Sequence, residues 1–207
     1  MNRKNDTLKI IAAVLMLIDH IGFVFYPEQL AFRVVGRLSF PIFAFFIAEG
    51  YIHTSSLKRY GYRLAVFALI SQIPYLLVFE YLQLNIFFTL LFSLVCIYSI
   101  EQKRYLLTLS ILATAYIVPV SYGVFGVLLP ASYYFLRNNK GYLLSIQTLL
   151  TLVYSLSIQV LFQVTSVLAT PLIWITQRVH LPISINKYWF YWFYPAHLLF
   201  LYIMSQL

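Results

Sequence analysis

Residues 8–25 read LKIIAAVLMLIDHIGFVF. After Lys9 the stretch is apolar, except that Asp19 and His20 stand side by side near its end. A run of this length is enough for a helix to cross about 30 Å of hydrocarbon, which takes roughly 20 residues at about 1.5 Å each. An ionisable pair inside such a segment costs at least about 2.5–3.5 kcal/mol per charge on insertion scales, so its presence needs a reason. The fold follows from the length of the run, and the functional question from the pair.

The rest of the chain extends the pattern. Of its 207 residues, 62% are hydrophobic and 10% charged, with mean hydropathy +0.83, against roughly 45–50% and about 25% in soluble domains. The apolar runs are continuous rather than alternating, which excludes an outer-membrane β-barrel and leaves helices as the way to satisfy the backbone in lipid. The expected fold is all-α: a polytopic transmembrane helical bundle forming one domain over residues 1–207. The lone cysteine, Cys96, lies in an apolar run and reads as a small buried hydrophobe. The basic N-terminus resembles a signal-peptide n-region, but no small-residue cleavage motif follows the first run, which is read as a retained helix.

Candidate spans are 8–26, 38–54, 64–80, 86–100, 105–119, 122–136, 142–159, 162–177 and 188–206. Residues 142–177 carry no charge and are too long for one span; splitting them near Gln159–Thr165 gives nine spans, and leaving them whole gives eight. With nine and the N-terminus inside, Arg3, Lys4, Lys9, Lys58, Arg59, Arg63, Lys103, Arg104, Arg137, Lys140, Arg178 and Lys187 all face one side, and Arg33 and Arg37 the other. The positive-inside rule favours this arrangement and accounts for the net charge of +8 without a nucleic-acid partner; the lipid bilayer is the expected one.

Few polar residues remain to be explained. Asp6 and Glu101 fall in inside loops, and Glu28 and Glu80 at the outer edge; Asp19 and Glu49 lie within spans. His20 and His197 also lie within spans, His53 ends the second, and His180 is in an inside loop. His20 follows Lys9 by eleven residues, His197 follows Lys187 by ten and Glu49 follows Arg37 by twelve, so all three sit about 15–18 Å from an interface. Glu49 and His53, as i, i+4 partners, share a helix face. Bland readings stand beside the functional ones: Asp19–His20 as a packing pair, Glu49 as a structural acid, Arg33 and Arg37 as headgroup ligands, and HTSSLKRYGYR at 53–63 as ordinary basic flanking.

Five segments in order carry a resemblance: LKIIAAVLMLIDHIG (8–22), RVVGRLSFPIFAFFIAEGYIHT (33–54), ISQIPY (70–75), NIFFTL (85–90) and KYWFYWFYPAHLL (187–199). Together they resemble the TraX family, named for a conjugative-plasmid membrane protein that acetylates the pilin N-terminus. The family commonly shows an aspartate before Tyr-Gly where this chain has Ser121 in SYG (121–123), which leaves no acid for that role. Many integral-membrane acyltransferases place a basic residue ten intervening residues before a first-helix histidine, and Lys9 and His20 reproduce that spacing.

The resemblance implies a multi-pass acetyltransferase of the bacterial cytoplasmic membrane, using acetyl-CoA as co-substrate and no metal. Its acceptor would be an amine or hydroxyl on a pilin-like peptide, a glycan or a lipid-linked carrier. On this reading His20 is the general base, Asp19 or Glu49 orients it, and Tyr194 and His197 stabilise the oxyanion. Lys58, Arg59 and Arg63, with Lys9 and His53 at the same mouth, would hold CoA, and Arg33 and Arg37 would face the acceptor. A transporter or a non-catalytic assembly factor are the alternatives; a transporter should show paired repeats or broken helices in both halves.

Overall fold

The computed structural model describes residues 6–80, 82–177, 185–186 and 188–207; Arg3, Lys4, Arg178, His180 and Lys187 lie outside the described residues. In chain order the elements are α1 (Asp6–Phe25), α2 (Leu30–Gly36), α3 (Ser39–His53), α4 (Leu57–Phe79), α5 (Ile86–Glu101), α6 (Tyr105–Ile117), α7 (Gly123–Phe135), α8 (Lys140–Ser157), a 3-10 helix (Leu161–Leu168), α9 (Ala169–Thr176) and α10 (Trp189–Ser205). Among the described residues there is no strand, only an isolated bridge between Leu84 and Val120.

The burial pattern is that of a helical membrane protein. On α8, Gln147, Thr151 and Ser155 are 2%, 2% and 0% exposed, whereas Leu149, Val153 and Leu156 are 57%, 60% and 66% exposed. A helix that hides its hydroxyls and amides and presents leucine outward is stable only where the surroundings are apolar. The stretches Asp6–Phe25, Leu30–His53 and Leu57–Phe79 are each long and apolar enough to cross a membrane, and shorter apolar helices follow.

Three features differ from the spans read in the sequence. Residues 27–37 read as a connection but contain α2, whose Arg33 is ion-paired with Asp19 of α1 (below). Helix α4 begins at Leu57, with Ser56 as N-cap accepting from Arg59 N at 3.3 Å, so Lys58, Arg59 and Arg63 lie on a helix rather than in a loop. The span expected to end at residue 159 stops two residues earlier: α8 ends at Ser157, Gln159 adopts φ 56°, and the chain continues as the 3-10 helix and then α9 rather than as one α-helix.

The described chain falls into two compact units, Met1–Phe43 with Thr151–Leu207, and Ala44–Leu150. In the first, α1 packs against α2, α9 and α10, and α2 packs against the 3-10 helix. Two glycines let α1 and α2 meet at backbone distance. A Cβ on Gly22 would run into Phe32, and one on Gly36 into the Cα and Cβ of Asp19. Ser39 Oγ donates to Ala12 O at 3.1 Å and Thr165 Oγ1 to Val34 O at 3.1 Å, tying α3 and the 3-10 helix to this pair.

In the second unit α5 packs against α4, α6 and α7. One end is a polar knot. Asn85 Nδ2 donates to Ala68 O at 2.7 Å and Gln72 Oε1 at 2.8 Å, Gln72 Nε2 donates to Gln83 O at 2.8 Å, and Gln83 Nε2 donates to Val120 O at 3.0 Å. Tyr75 donates to Gln83 Oε1 at 2.7 Å, and Thr89 to Ser121 O at 2.7 Å. The other end is a clamp: the phenols of Tyr51 and Tyr134 both donate to the Glu101 carboxylate.

Candidate active site

The first unit brings His20 of α1 and His197 of α10 together. Both lie in mid-helix and are buried, at 9% and 7% exposure. His20 Nδ1 lies 2.7 Å from His197 Nε2, and His197 Nδ1 lies 2.7 Å from the backbone oxygen of Phe193. The carbonyl assigns the protons, because it can only accept. His197 therefore carries hydrogen on Nδ1 and, when neutral, offers a lone pair on Nε2. His20 must then donate through Nδ1, which leaves its lone pair, and so its basicity, on Nε2. The two rings lie nearly parallel with centroids 5.0 Å apart, and Tyr194 meets both edge-on, at 6.4 Å from His20 and 5.7 Å from His197.

Asp19 is engaged elsewhere. Its Oδ2 pairs with Arg33 Nη1 at 3.0 Å, and the same guanidinium nitrogen donates to Asp19 O at 3.0 Å. The i, i+1 offset on a helix points the Asp19 carboxylate toward α2 while His20 points toward α10, so neighbours in sequence serve different helix contacts. Arg33 also lies over the Phe23 ring at 5.3 Å, and Arg37 over Phe162 at 5.5 Å. The two arginines expected to face an acceptor thus carry contacts inside the first unit. Lys9 Nζ pairs with Asp6 Oδ1 at 2.6 Å. The other Asp6 oxygen accepts from Ile185 N at 3.3 Å, joining the start of α1 to the segment before α10.

Glu49, His53, Lys58, Arg59 and Arg63 belong to the second unit. There Glu49 Oε2 lies 3.6 Å from His53 Nε2, and Arg63 lies over the Tyr60 ring at 5.6 Å. Ser121, at the position where an acid was expected by resemblance, is buried and donates to Leu84 O at 3.1 Å. The ISQIPY and NIFFTL segments supply Gln72, Tyr75, Asn85 and Thr89 of the polar knot. Their amides and hydroxyls are spent on one another and on backbone, a structural use. The signal for the knot was present in sequence as buried-type amides at span ends, but no spacing rule joins Gln72 to Asn85 or Gln83 to Val120.

The family described as TraX protein matches residues 4–205. An uncharacterized protein of Rickettsia prowazekii is 38% identical over 82 residues, covering 39% of this chain and 31% of that one. A probable fimbrial assembly protein of Dichelobacter nodosus, FimC of serogroup H1, is 28% identical, covering 92% of this chain and 91% of that one. No solved structure matches.

Proposed function

Because this chain belongs to the TraX family, its match running from residue 4 to residue 205, we propose that it is a membrane acetyltransferase that moves an acetyl group from acetyl-CoA to an amine or hydroxyl of an envelope acceptor. The observation that carries the reading is the His20–His197–Phe193 chain of hydrogen bonds, which gives a buried histidine a defined tautomer and a defined basic nitrogen. In the proposed step the neutral acceptor N–H or O–H attacks the thioester carbonyl carbon while His20 Nε2 takes its proton. The tetrahedral intermediate collapses, the C–S bond breaks, and the CoA thiolate recovers that proton from His20. No oxidant, reductant or metal enters this balance.

The same geometry divides the roles differently from the triad expected in the sequence. His197 orients His20, because it accepts from Nδ1 and is itself held by a backbone carbonyl; in that state its Nε2 accepts and does not donate to an oxyanion. On this reading Tyr194, edge-on to both rings, is the donor to the oxyanion. Asp19 holds α1 to α2 through Arg33, and so fixes the base from behind. Lys9 lies eleven residues from His20 on the same helix and supplies the basic group at the mouth. A bundle of nine spans in the bacterial cytoplasmic membrane, N-terminus inside, is the arrangement we propose.

A second reading is favoured by one observation: the relative aligned along nearly its whole length is described as a probable fimbrial assembly protein. On that reading the chain assists fimbrial assembly without catalysis. Mass spectrometry of envelope peptides, glycans and lipids from cells with and without the gene separates the two. Loss of an acetyl group from one component on deletion, restored by the wild-type gene, supports the transferase. An unchanged acetylation pattern with defective fimbriae supports the assembly role.

A further inference from the structure

Asp6 opens α1 and is 2% exposed. An acid in the first turn suits the positive end of the helix dipole, and with Lys9 it forms an i, i+3 ion pair at 2.6 Å. Both uses are local and work equally well at a surface, so neither explains a buried carboxylate. Burying one is costly unless its oxygens are bonded. Here the second oxygen reaches across the fold: Oδ2 accepts from the Ile185 amide at 3.3 Å, 179 positions away in the chain.

Ile185 is coupled directly to α10. Asn186 Oδ1 accepts from Tyr188 N at 3.0 Å and Asn186 O from Trp189 N at 3.0 Å, so a bonded turn leads from the Asp6 contact into the helix. Along α10 the rings of Trp189, Phe193 and His197 then stack in succession, at 5.2 and 4.8 Å. Polar bonds thus tie this segment to α1 at two levels. One is Asp6–Ile185 at the start of α1; the other is His20–His197, fourteen residues or about 21 Å further along it.

Between these levels the two helices face each other across an open apolar groove of about 510 Å³, lined by Ile10, Val14 and Leu17 of α1 and by Trp189 and Phe193 of α10. Apolar walls across a gap make no directional contact and lose much of their dispersion attraction, so they resist sliding weakly. The 2.7 Å contact of His20 Nδ1 with His197 Nε2 does not tolerate sliding, because such bonds weaken beyond about 3.2 Å. Register that the groove does not set has to be set at its end.

We propose that Asp6 is a positioning residue for the histidine pair: by holding the Ile185 amide it fixes α10 against α1 in the register that brings His197 to His20. The proposal rests on the reading of His20 as the base and adds the contact that keeps this base in its tautomer.

The test combines acetyl-transfer kinetics with ¹⁵N spectra of histidine-labelled, full-length protein in nanodiscs, which report which ring nitrogen carries hydrogen. Asp6→Ala removes the tie, and Ile185→Pro removes only its N–H, leaving the Asp6–Lys9 pair. Asp6→Asn keeps an oxygen that accepts from Ile185. Asn85→Ala, in the second unit, is the control for lost stability. Asp6→Ala and Ile185→Pro should shift His20 away from the Nδ1–H form and lower kcat about tenfold to 10²-fold. Asp6→Asn should recover most of both, and Asn85→Ala should leave the tautomers as in wild type. Unchanged tautomers and kcat in whichever of Asp6→Ala and Ile185→Pro folds would overturn the proposal, as would the same kcat loss in Asn85→Ala. If wild type transfers no acetyl group while the tautomers still shift in the Asp6→Ala spectrum, the acetyltransferase reading falls and the positioning contact stands.

Discussion

His20 and His197 stand 177 positions apart in the chain, yet their ring nitrogens are 2.7 Å apart in the fold. The contact is directional, because the Phe193 carbonyl on the far side of His197 decides which nitrogen holds each proton. A residue that accepts from His20 Nδ1 should preserve this, and one that only fills space should not. His197→Gln, whose side-chain oxygen can accept, is therefore expected to keep more acetyl-transfer activity than His197→Phe, which keeps the ring stack alone. Transfer rates of the two variants across pH check this; equal losses in both would assign His197 a packing role.

The Arg33–Asp19 ion pair closes the other side of the same helix. Its side chains are only 17% and 12% exposed, so removing one partner strands a buried charge. Arg33→Ala should lower stability by about 3–5 kcal/mol, while the double variant Asp19→Leu, Arg33→Met recovers most of the loss. Thermal or denaturant unfolding in detergent reads this, and a double variant as unstable as the single would rule out the stranded-charge account.

Gly36 is required by contact, not by backbone angle. A methyl group there meets Asp19 backbone and Cβ atoms, so Gly36→Ala should cost about 1–3 kcal/mol by overpacking. Gly61→Ala is the matched comparison: the nearest atoms are 3.7 and 3.8 Å away, and a helical alanine should stabilise by about 0.5–1 kcal/mol. Opposite signs of the two melting shifts are the expected outcome.

Much of the fold and part of the site are legible in the sequence, for identifiable reasons. Hydropathy places α1 because its apolar run is long and bounded. The spacing of His20 from Lys9, and of His197 from Lys187, puts both histidines at one depth. Depth is only one coordinate, however, and nothing in the pattern says that these two rings touch or that Asp19 turns away from His20. Helix α2 was hidden because Arg33 and Arg37 lower local hydropathy, and a hydropathy sum cannot register that the Arg33 charge is cancelled by Asp19 on another helix. The knot around Asn85 was hidden for a related reason: its bonds join residues from 68 to 121 with no repeating interval.

That knot makes its own prediction. Asn85 is fully buried, and its amide nitrogen serves two acceptors. Asn85→Ala removes the side-chain donor to Ala68 O and Gln72 Oε1 in an apolar setting, leaving Gln72 Oε1 only the Asn85 backbone N–H at 3.0 Å, at a cost of about 1–3 kcal/mol. Asn85→Asp, which keeps the shape but loses the donor, should not rescue it. A wild-type melting midpoint in either variant would show that the knot is dispensable.

Glu101, at the end of α5, titrates in a direction the clamp sets. Hydrogen bonds from Tyr134 and then Tyr51 hold its carboxyl below the ordinary carboxylate range, with Arg137 assisting and burial opposing. A depressed folded-state pKa means the clamp's contribution is complete above about pH 4.3, the usual glutamate value, and is lost as pH falls through the lower folded value. Comparing melting at neutral and acid pH, wild type should lose more stability on acidification than Glu101→Gln. An identical acid loss in both would remove the clamp as the cause.

The most direct measurement of the central claim is acetyl transfer or hydrolysis from labelled acetyl-CoA by the purified protein and by His20→Gln and His20→Ala, with binding of acetyl-CoA monitored in parallel. If His20 Nε2 is the base, both variants still bind the donor and lose about 10²–10⁴-fold in rate. Full activity without His20, or no acetyl release by the wild-type protein in the presence of bound acetyl-CoA, would contradict the account.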